Sequence, residues 1–464
     1  MLNEFIYWLT QKRWLIVALI IGIVLYLLPT PEGLTIYGYR TLIIVVIAII
    51  LIITEPLPLP GVAIMILILE VLFGITTADE TATSFMSDAV FFIMGSLMLA
   101  VAIVSQGLDK RLALGIIRIT GNKTWRIIAG FVTISAFLSS FIGEHTVTAM
   151  MMPVGLSLIR FTNKDPKKIK KLTALILFSI AYGSAMGSIG TPSGGGRNVI
   201  MIGYWSKFGV ADISYLEWMK YAYPMLFIEI PLAVIILFFT FRPEKKILDS
   251  AVRKLVVQVA KSGKMTGKQI SSILIFFLVF LGWVFMSSKI GLGIVALIGV
   301  FLYLVFGLIS WRDLNRNTNW GVILLFGAAI SIGLMMNDTG AAQWVAHKAI
   351  SGLESIASNV SVLRWLVAVL ITGTLTNLLS NAATMAVIGP IVLNMGGDQI
   401  IIGFATAVAS AFAYLTIVAS PTCMIIHSSG LVKSTDYLKA GWKMFLMSVA
   451  VLFLISNLWW PLLN

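Results

Sequence analysis

The sequence predicts an all-α polytopic membrane protein, with about eleven transmembrane helices, two re-entrant helical hairpins and two inverted repeats. Three observations predict it. Of the 464 residues, 59% are hydrophobic and only 11% charged, against about a quarter charged in soluble domains, and the mean hydropathy is +0.97. Apolar runs of roughly 20 residues, the length that crosses ~30 Å of hydrocarbon, recur along the whole chain. Interruptions of those runs fall at matching places in the two halves.

The runs lie near 14–29, 36–54, 61–76, 89–106, 172–190, 222–241, 270–287, 289–309, 319–337, 399–419 and 441–460. The first, Trp14 to Leu28, is followed by no small-residue cleavage site and by many further runs, so it reads as a span and not a signal peptide. Met1 to Arg13, aromatic and basic at its end, reads as an interfacial anchor. Two further apolar stretches, 125–160 and 360–395, are interrupted near the middle, at Gly143-Glu144-His145-Thr146 and at Ser380-Asn381-Ala382-Ala383-Thr384. Each half is then expected to be too short to cross, which points to a hairpin that enters and leaves by one face. Its polar tip must be buried in protein or line a cavity. Two spans, 172–206 and 399–430, are broken by Pro/Gly-rich segments.

The net charge of +13 does not imply nucleic acid. The basic residues sit in short loops: Arg160 to Lys171, Arg242 to Lys268, Lys110 and Arg111, Arg312 and Arg316. All fall on one side if the N-terminus is cytoplasmic and the two interrupted stretches are re-entrant, the positive-inside pattern. The chain divides into 1–30, an amphipathic segment and first span; 31–242, a first repeat; 243–268, a basic cytoplasmic linker; and 269–464, a second repeat. Gly95 pairs with Gly327, Gly107 with Gly340, Pro153 with Pro390 and Pro192 with Pro421, at a spacing of about 230 residues. On that orientation the two hairpins open to opposite sides, so the repeats are inverted.

A discontinuous helix leaves backbone groups unpaired at its break, and half-helix N-termini carry partial positive charge that suits carboxylates. Four such breaks, expected to converge near the bilayer midplane, are the pattern of a secondary transporter. Clustered metal ligands are absent from the sequence pattern, with one cysteine (Cys423) and scattered histidines, and no nucleophile and base share a motif. The chain is therefore read as no enzyme, with no cofactor and no metal.

Thr54-Glu55-Pro56-Leu57-Pro58-Leu59, the Gly95 to Arg111 segment, Trp320 to Gly327 and the two tips together resemble the divalent anion/sodium symporter family of dicarboxylate and citrate carriers, from about residue 36 to the C-terminus. The resemblance implies a homodimer in the plasma membrane that carries small dicarboxylates (succinate, malate, fumarate, 2-oxoglutarate) by an elevator-type motion, with substrate carboxylates held at the tips and unwound segments. It assigns substrate contacts to Ser380, Asn381, Ala382 and Thr384, to His145 and Thr146, to Thr191, Pro192 and Ser193, and to Ser420, Pro421 and Thr422.

The chain departs from that family's Ser-Asn-Thr tips. Ala382 stands for the Thr of the second, and Gly143-Glu144-His145 replaces the first. The first unwound segment, Gly190 to Asn198, carries Arg197, a permanent cation. Sodium tolerates no adjacent fixed cation, so Arg197 and His145, with Glu144 as partner, are read as charges substituting for sodium. That reading gives sodium-independent exchange; the alternative is sodium-coupled symport. The bland reading of Arg197 is that it snorkels to a loop or pairs with Glu144 for structure.

Overall fold

The computed structural model describes residues 12–108, 111, 120–260, 264–351 and 360–463, so the anchor expected at Met1–Arg13 lies almost wholly outside the described residues. The described chain is helical throughout, with one isolated bridge between Lys123 and Ile247. In chain order the main helices are α1 Arg13–Leu27, α2 Ile36–Thr54, α3 Leu59–Leu72, α4 Ala78–Phe85, α5 Asp88–Ser105, α6 Thr124–Ile142, α7 Glu144–Thr162, α8 Lys170–Gly187, α9 Gly196–Lys207 and α10 Tyr215–Phe241. Then come α11 Asp249–Ala260, α12 Gly267–Phe285, α13 Leu292–Val305, α14 Trp320–Asp338, α15 Ala341–Ser351, α16 Val360–Leu375, α17 Asn381–Leu393, α18 Gln399–Ala409, α19 Pro421–His427 and α20 Ser434–Leu458.

Every expected apolar run holds a helix, and among the described residues eight helices are long and apolar enough to cross a membrane. Some runs are shorter than expected, for local reasons. The 289–309 run starts its helix only after Gly291, at φ +87°, and α13 stops before Gly307, at φ +60°. The 61–76 run ends at Phe73, just before Gly74 at φ +66°. Glycine alone adopts such values without steric cost. The arms of the first hairpin correct the reading in the other direction. α6 and α7 are each 19 residues long, about 28 Å at 1.5 Å per residue, so neither is too short to cross. They pack against each other and both against α8.

The chain forms two compact units, each drawn from both halves of the sequence. The first comprises residues 1–90, 200–212 and 319–407. Its core packs Ile43, Ile47 and Leu51 of α2 with Val62 and Ile66 of α3 and Ala328, Ile332 and Met336 of α14. α14 also packs against α17. The second comprises residues 91–199, 213–318 and 408–464. Here α8 lies against α6 through Gly183 and Gly187, a small-xxx-small pair of the kind that lets membrane helices approach closely. A Cβ on Gly187 would stand 2.0 Å from the Ala136 carbonyl oxygen. The stretch expected as a plain linker, 243–268, carries α11, packed against α7.

Candidate functional site in the broken helices

α6 ends at Gly143, which has φ +84° and ψ 149°. That single residue makes the first break. Glu144, His145 and Thr146, expected as the tip itself, form the first turn of α7, because a residue free to take positive φ lets the next helix start at once. A carboxylate in a first turn also suits the positive end of the helix dipole.

Glu144 is buried, and so is Arg197, the second residue of α9, at 2% exposure. Arg197 Nη1 lies 3.6 Å from Glu144 Oε1. Arg197 Nη2 donates to Ser188 Oγ, which itself lies 3.1 Å from Glu144 Oε2. The three side chains therefore close a network in which the cation is met inside the protein. A buried pair of this kind survives only with good geometry and added hydrogen bonds, and Ser188 supplies the bridge.

The unwound segment between α8 and α9 is held by side chains. Asn198 Nδ2 donates to the carbonyls of Ser188 at 2.9 Å and Thr191 at 2.8 Å. Trp218 Nε1 donates to the Ile189 carbonyl at 2.8 Å, and Ser140 Oγ to that of Gly187 at 2.7 Å. Thr191 Oγ1 donates to the Ser140 carbonyl, and the Tyr215 hydroxyl lies 2.9 Å from Thr191 Oγ1 and 2.8 Å from Ser193 Oγ. Helix ends leave backbone groups without intrahelical partners, and each of these bonds meets such a group or fixes a hydroxyl beside one. Pro192 begins a single 3-10 turn in the segment.

The second unwound segment, 410–420, belongs to the same unit. Ser420 caps α19, accepting from Cys423 N at 3.3 Å, and its Oγ lies 2.7 Å from Thr422 Oγ1. Pro421 occupies the first helical position, where its missing N–H costs nothing. Cys423 is buried, and its carbonyl accepts from the Tyr437 hydroxyl at 2.8 Å. The Tyr182 hydroxyl donates to the Tyr414 carbonyl at 2.8 Å. α19 packs against both α7 and α8, so within this unit the first tip, the first unwound segment and the second are neighbours.

The other tip lies in the first unit. α16 stops at Leu375 and a turn follows, so the break precedes the Ser380 to Thr384 stretch where the sequence places it. Ser380 is the N-cap of α17, accepting from Ala383 N at 3.3 Å, and such a cap starts a helix at the next residue. Asn381 and Thr384 are buried and Ala382 half-buried in the first turn. Thr376 Oγ1 donates to Asn381 Oδ1 at 2.9 Å and Asn377 Nδ2 to the Gly373 carbonyl at 2.7 Å. Thr384 Oγ1 is buried without a hydrogen-bond partner.

The residues singled out by sequence thus divide between three helix starts in one unit, those of α7, α9 and α19, and one in the other, that of α17. Sequence reading misses Ser140, Ser188, Asn198, Tyr215 and Thr376. Only Asn198 offered a signal, as a polar residue directly after Arg197 in an apolar run; the others matter through partners far away in the chain.

Helices that stop and restart at buried polar breaks, within a many-helix apolar chain, define a polytopic membrane transporter. Residues 9–464 match the family described as the sodium:sulfate symporter transmembrane region, and the chain belongs to that family of transporters. It is 27% identical to the sodium-dependent high-affinity dicarboxylate transporter 3 of Caenorhabditis elegans, covering 86% of this chain and 79% of that one. It is 26% identical to the sodium-dependent dicarboxylate transporter SdcS of Staphylococcus saprophyticus, covering 82% and 78%. It is also 26% identical to an uncharacterized transporter of Haemophilus influenzae, covering 85% and 86%. Among solved structures, the YdaH transporter of Alcanivorax borkumensis superposes with a TM-score of 0.54 at 13% identity, over 84% of this chain and 89% of that one, a likeness of fold.

Proposed function

We propose that this protein carries small dicarboxylate anions (succinate, malate, fumarate, 2-oxoglutarate) across the cell membrane by sodium-independent exchange. The names of two relatives support the substrate class. The observation that carries the sodium independence is the guanidinium of Arg197, fixed and buried beside the first unwound segment. A permanent cation there supplies the charge that a dianion otherwise needs from a bound ion. Within the protein Glu144 answers that charge, so an arriving carboxylate competes with Glu144 for it. His145, at the same helix start, is the second cation of this reading.

In this reading Ser380, Asn381 and Thr384 of α17, beside Ala382, contact substrate. So do Thr146, the Thr191-Pro192-Ser193 segment and the Ser420-Pro421-Thr422 segment. The re-entrant hairpins, the inverted repeats with a cytoplasmic N-terminus, the homodimer and the elevator motion belong to the same proposal. Thr191 and Ser193 hold bonds to Ser140 and Tyr215, so the substrate would meet them by exchange of partners.

Sodium-coupled symport is the second reading, raised by the words "sodium-dependent" in the names of two relatives. Thermal unfolding of the purified protein separates the two, since a ligand raises the melting temperature by mass action. Succinate alone, in choline buffer, is expected to stabilise as much as succinate with sodium. Stabilisation by succinate only when sodium is present selects symport, and no response to any dicarboxylate removes the substrate assignment.

A further inference from the structure

α17, the helix that starts at the second tip, contains a proline at position 390. A proline inside a helix has no N–H to give to the carbonyl four residues earlier. That carbonyl belongs to Ala386. In the first unit the Tyr204 hydroxyl donates to it at 3.1 Å. The same hydroxyl lies 3.0 Å from the Ala329 carbonyl in α14. Ala329 sits in the interior of its helix, where the ladder already supplies a partner. The Ala386 carbonyl has lost its own, so the hydroxyl's one proton has its main task there.

The seat for the ring is cut in both helices by glycine. A Cβ on Gly333 would lie 2.1 Å from the Tyr204 hydroxyl oxygen, and a Cβ on Gly389 would lie 2.7 Å from the ring. Tyr204 is fully buried. It stands about two helical turns along α9 from Arg197, next to Trp205, whose Nε1 donates to the Gln399 carbonyl at 3.0 Å. The fold uses the same device elsewhere. In the second unit Pro224 lies inside α10, and the carbonyl four residues earlier, Lys220, accepts from Trp459 Nε1 at 2.9 Å.

We propose that Tyr204 is a positioning residue for the second tip: its hydroxyl replaces the hydrogen bond that Pro390 removes and so fixes the aim of Ser380 and Asn381. A helix with an unmet buried carbonyl near its midpoint is free to bend there, and its first turn moves with it. The proposal rests on the reading of Ser380 and Asn381 as substrate contacts for its effect on binding, but not for its effect on the helix.

The test uses Tyr204→Phe, which keeps the ring in its seat and removes the donor, and Tyr204→Phe with Pro390→Ala, which returns an N–H to the Ala386 carbonyl. Amide hydrogen exchange is measured on the empty full-length protein, and succinate affinity beside it. Tyr204→Phe is expected to speed exchange several-fold over residues 376–386 and to weaken succinate binding about 3- to 10-fold, the loss of one ordinary hydrogen bond. Adding Pro390→Ala should bring both back toward wild type. Unchanged exchange in Tyr204→Phe overturns the proposal, and so does a double variant as loose as the single one, since a packing role for the ring predicts no rescue. If the wild type binds no dicarboxylate, the substrate reading fails by itself, and the exchange measurement still decides the role of Tyr204.

Discussion

At the first tip, Glu144 opens its helix against a buried guanidinium; at the second, Ser380 caps a helix with no charged residue in its first turn. Both starts leave backbone N–H groups that favour an anion. The first answers them with a carboxylate of its own, and Ser188 closes the circuit to Arg197. The second uses a serine cap, an asparagine and a buried threonine hydroxyl without a partner. The difference teaches where each energy sits. A closed charge network contributes to the stability of the fold, while neutral donors contribute chiefly when a ligand arrives. Damage to the first tip should therefore appear first as unfolding, and damage to the second as lost affinity.

The largest effect is expected from Arg197→Ala, which leaves Glu144 buried and uncompensated. Removing one member of a buried pair costs about 3–5 kcal/mol, so the variant should melt far below wild type. Arg197→Met with Glu144→Gln removes both charges and should recover most of that loss. If the single and double variants melt together, the pair is not what holds the first tip.

Asn381→Ala comes next and should show its effect chiefly on affinity. Losing a hydrogen bond to a charged group costs roughly 1.5–3 kcal/mol, so succinate affinity should fall about ten- to a hundredfold, while the melting temperature should fall less than in Arg197→Ala, because the group that loses its Asn381 acceptor is the neutral Thr376 hydroxyl. Titration of the variant with succinate, followed by calorimetry, checks it; unchanged affinity removes the second tip from the binding site.

Ser188→Ala takes away the bridge and leaves the pair. Arg197 Nη2 loses its acceptor, at a cost of about 1–3 kcal/mol for a buried group left unmet, a drop smaller than that of Arg197→Ala. Smallest is Thr384→Val. The buried hydroxyl has no hydrogen-bond partner among the described residues, so its loss should leave the melting temperature level or slightly higher while weakening succinate a few-fold. A marked fall in melting temperature would show that the hydroxyl serves the fold instead.

Much of this was legible in the sequence. Polar residues, glycine and proline inside apolar runs mark broken membrane helices because no water is present there to satisfy a free backbone group, and the breaks near Gly143, Gly190, Ser380 and Ser420 follow from that alone. The pairing of Glu144 with Arg197 was legible too, since a buried arginine requires a partner and few acids are available. The finer placement was not. Glu144 lies inside a helix, and not on a loop, because Gly143 turns the chain in a single residue. Tyr215, Ser140 and Tyr204 act through bonds to distant residues, which local pattern does not encode. The two compact units each mix both halves of the chain, because helix packing is decided by shape between segments far apart in sequence.

The central claim is that a protein cation does the work of a coupling ion, and counterflow tests it most directly. Proteoliposomes loaded with unlabelled succinate should take up labelled succinate as fast in choline buffer as in sodium buffer, and empty vesicles should take up little in either. Steep dependence on external sodium, with uptake into empty vesicles, would contradict the account and establish symport.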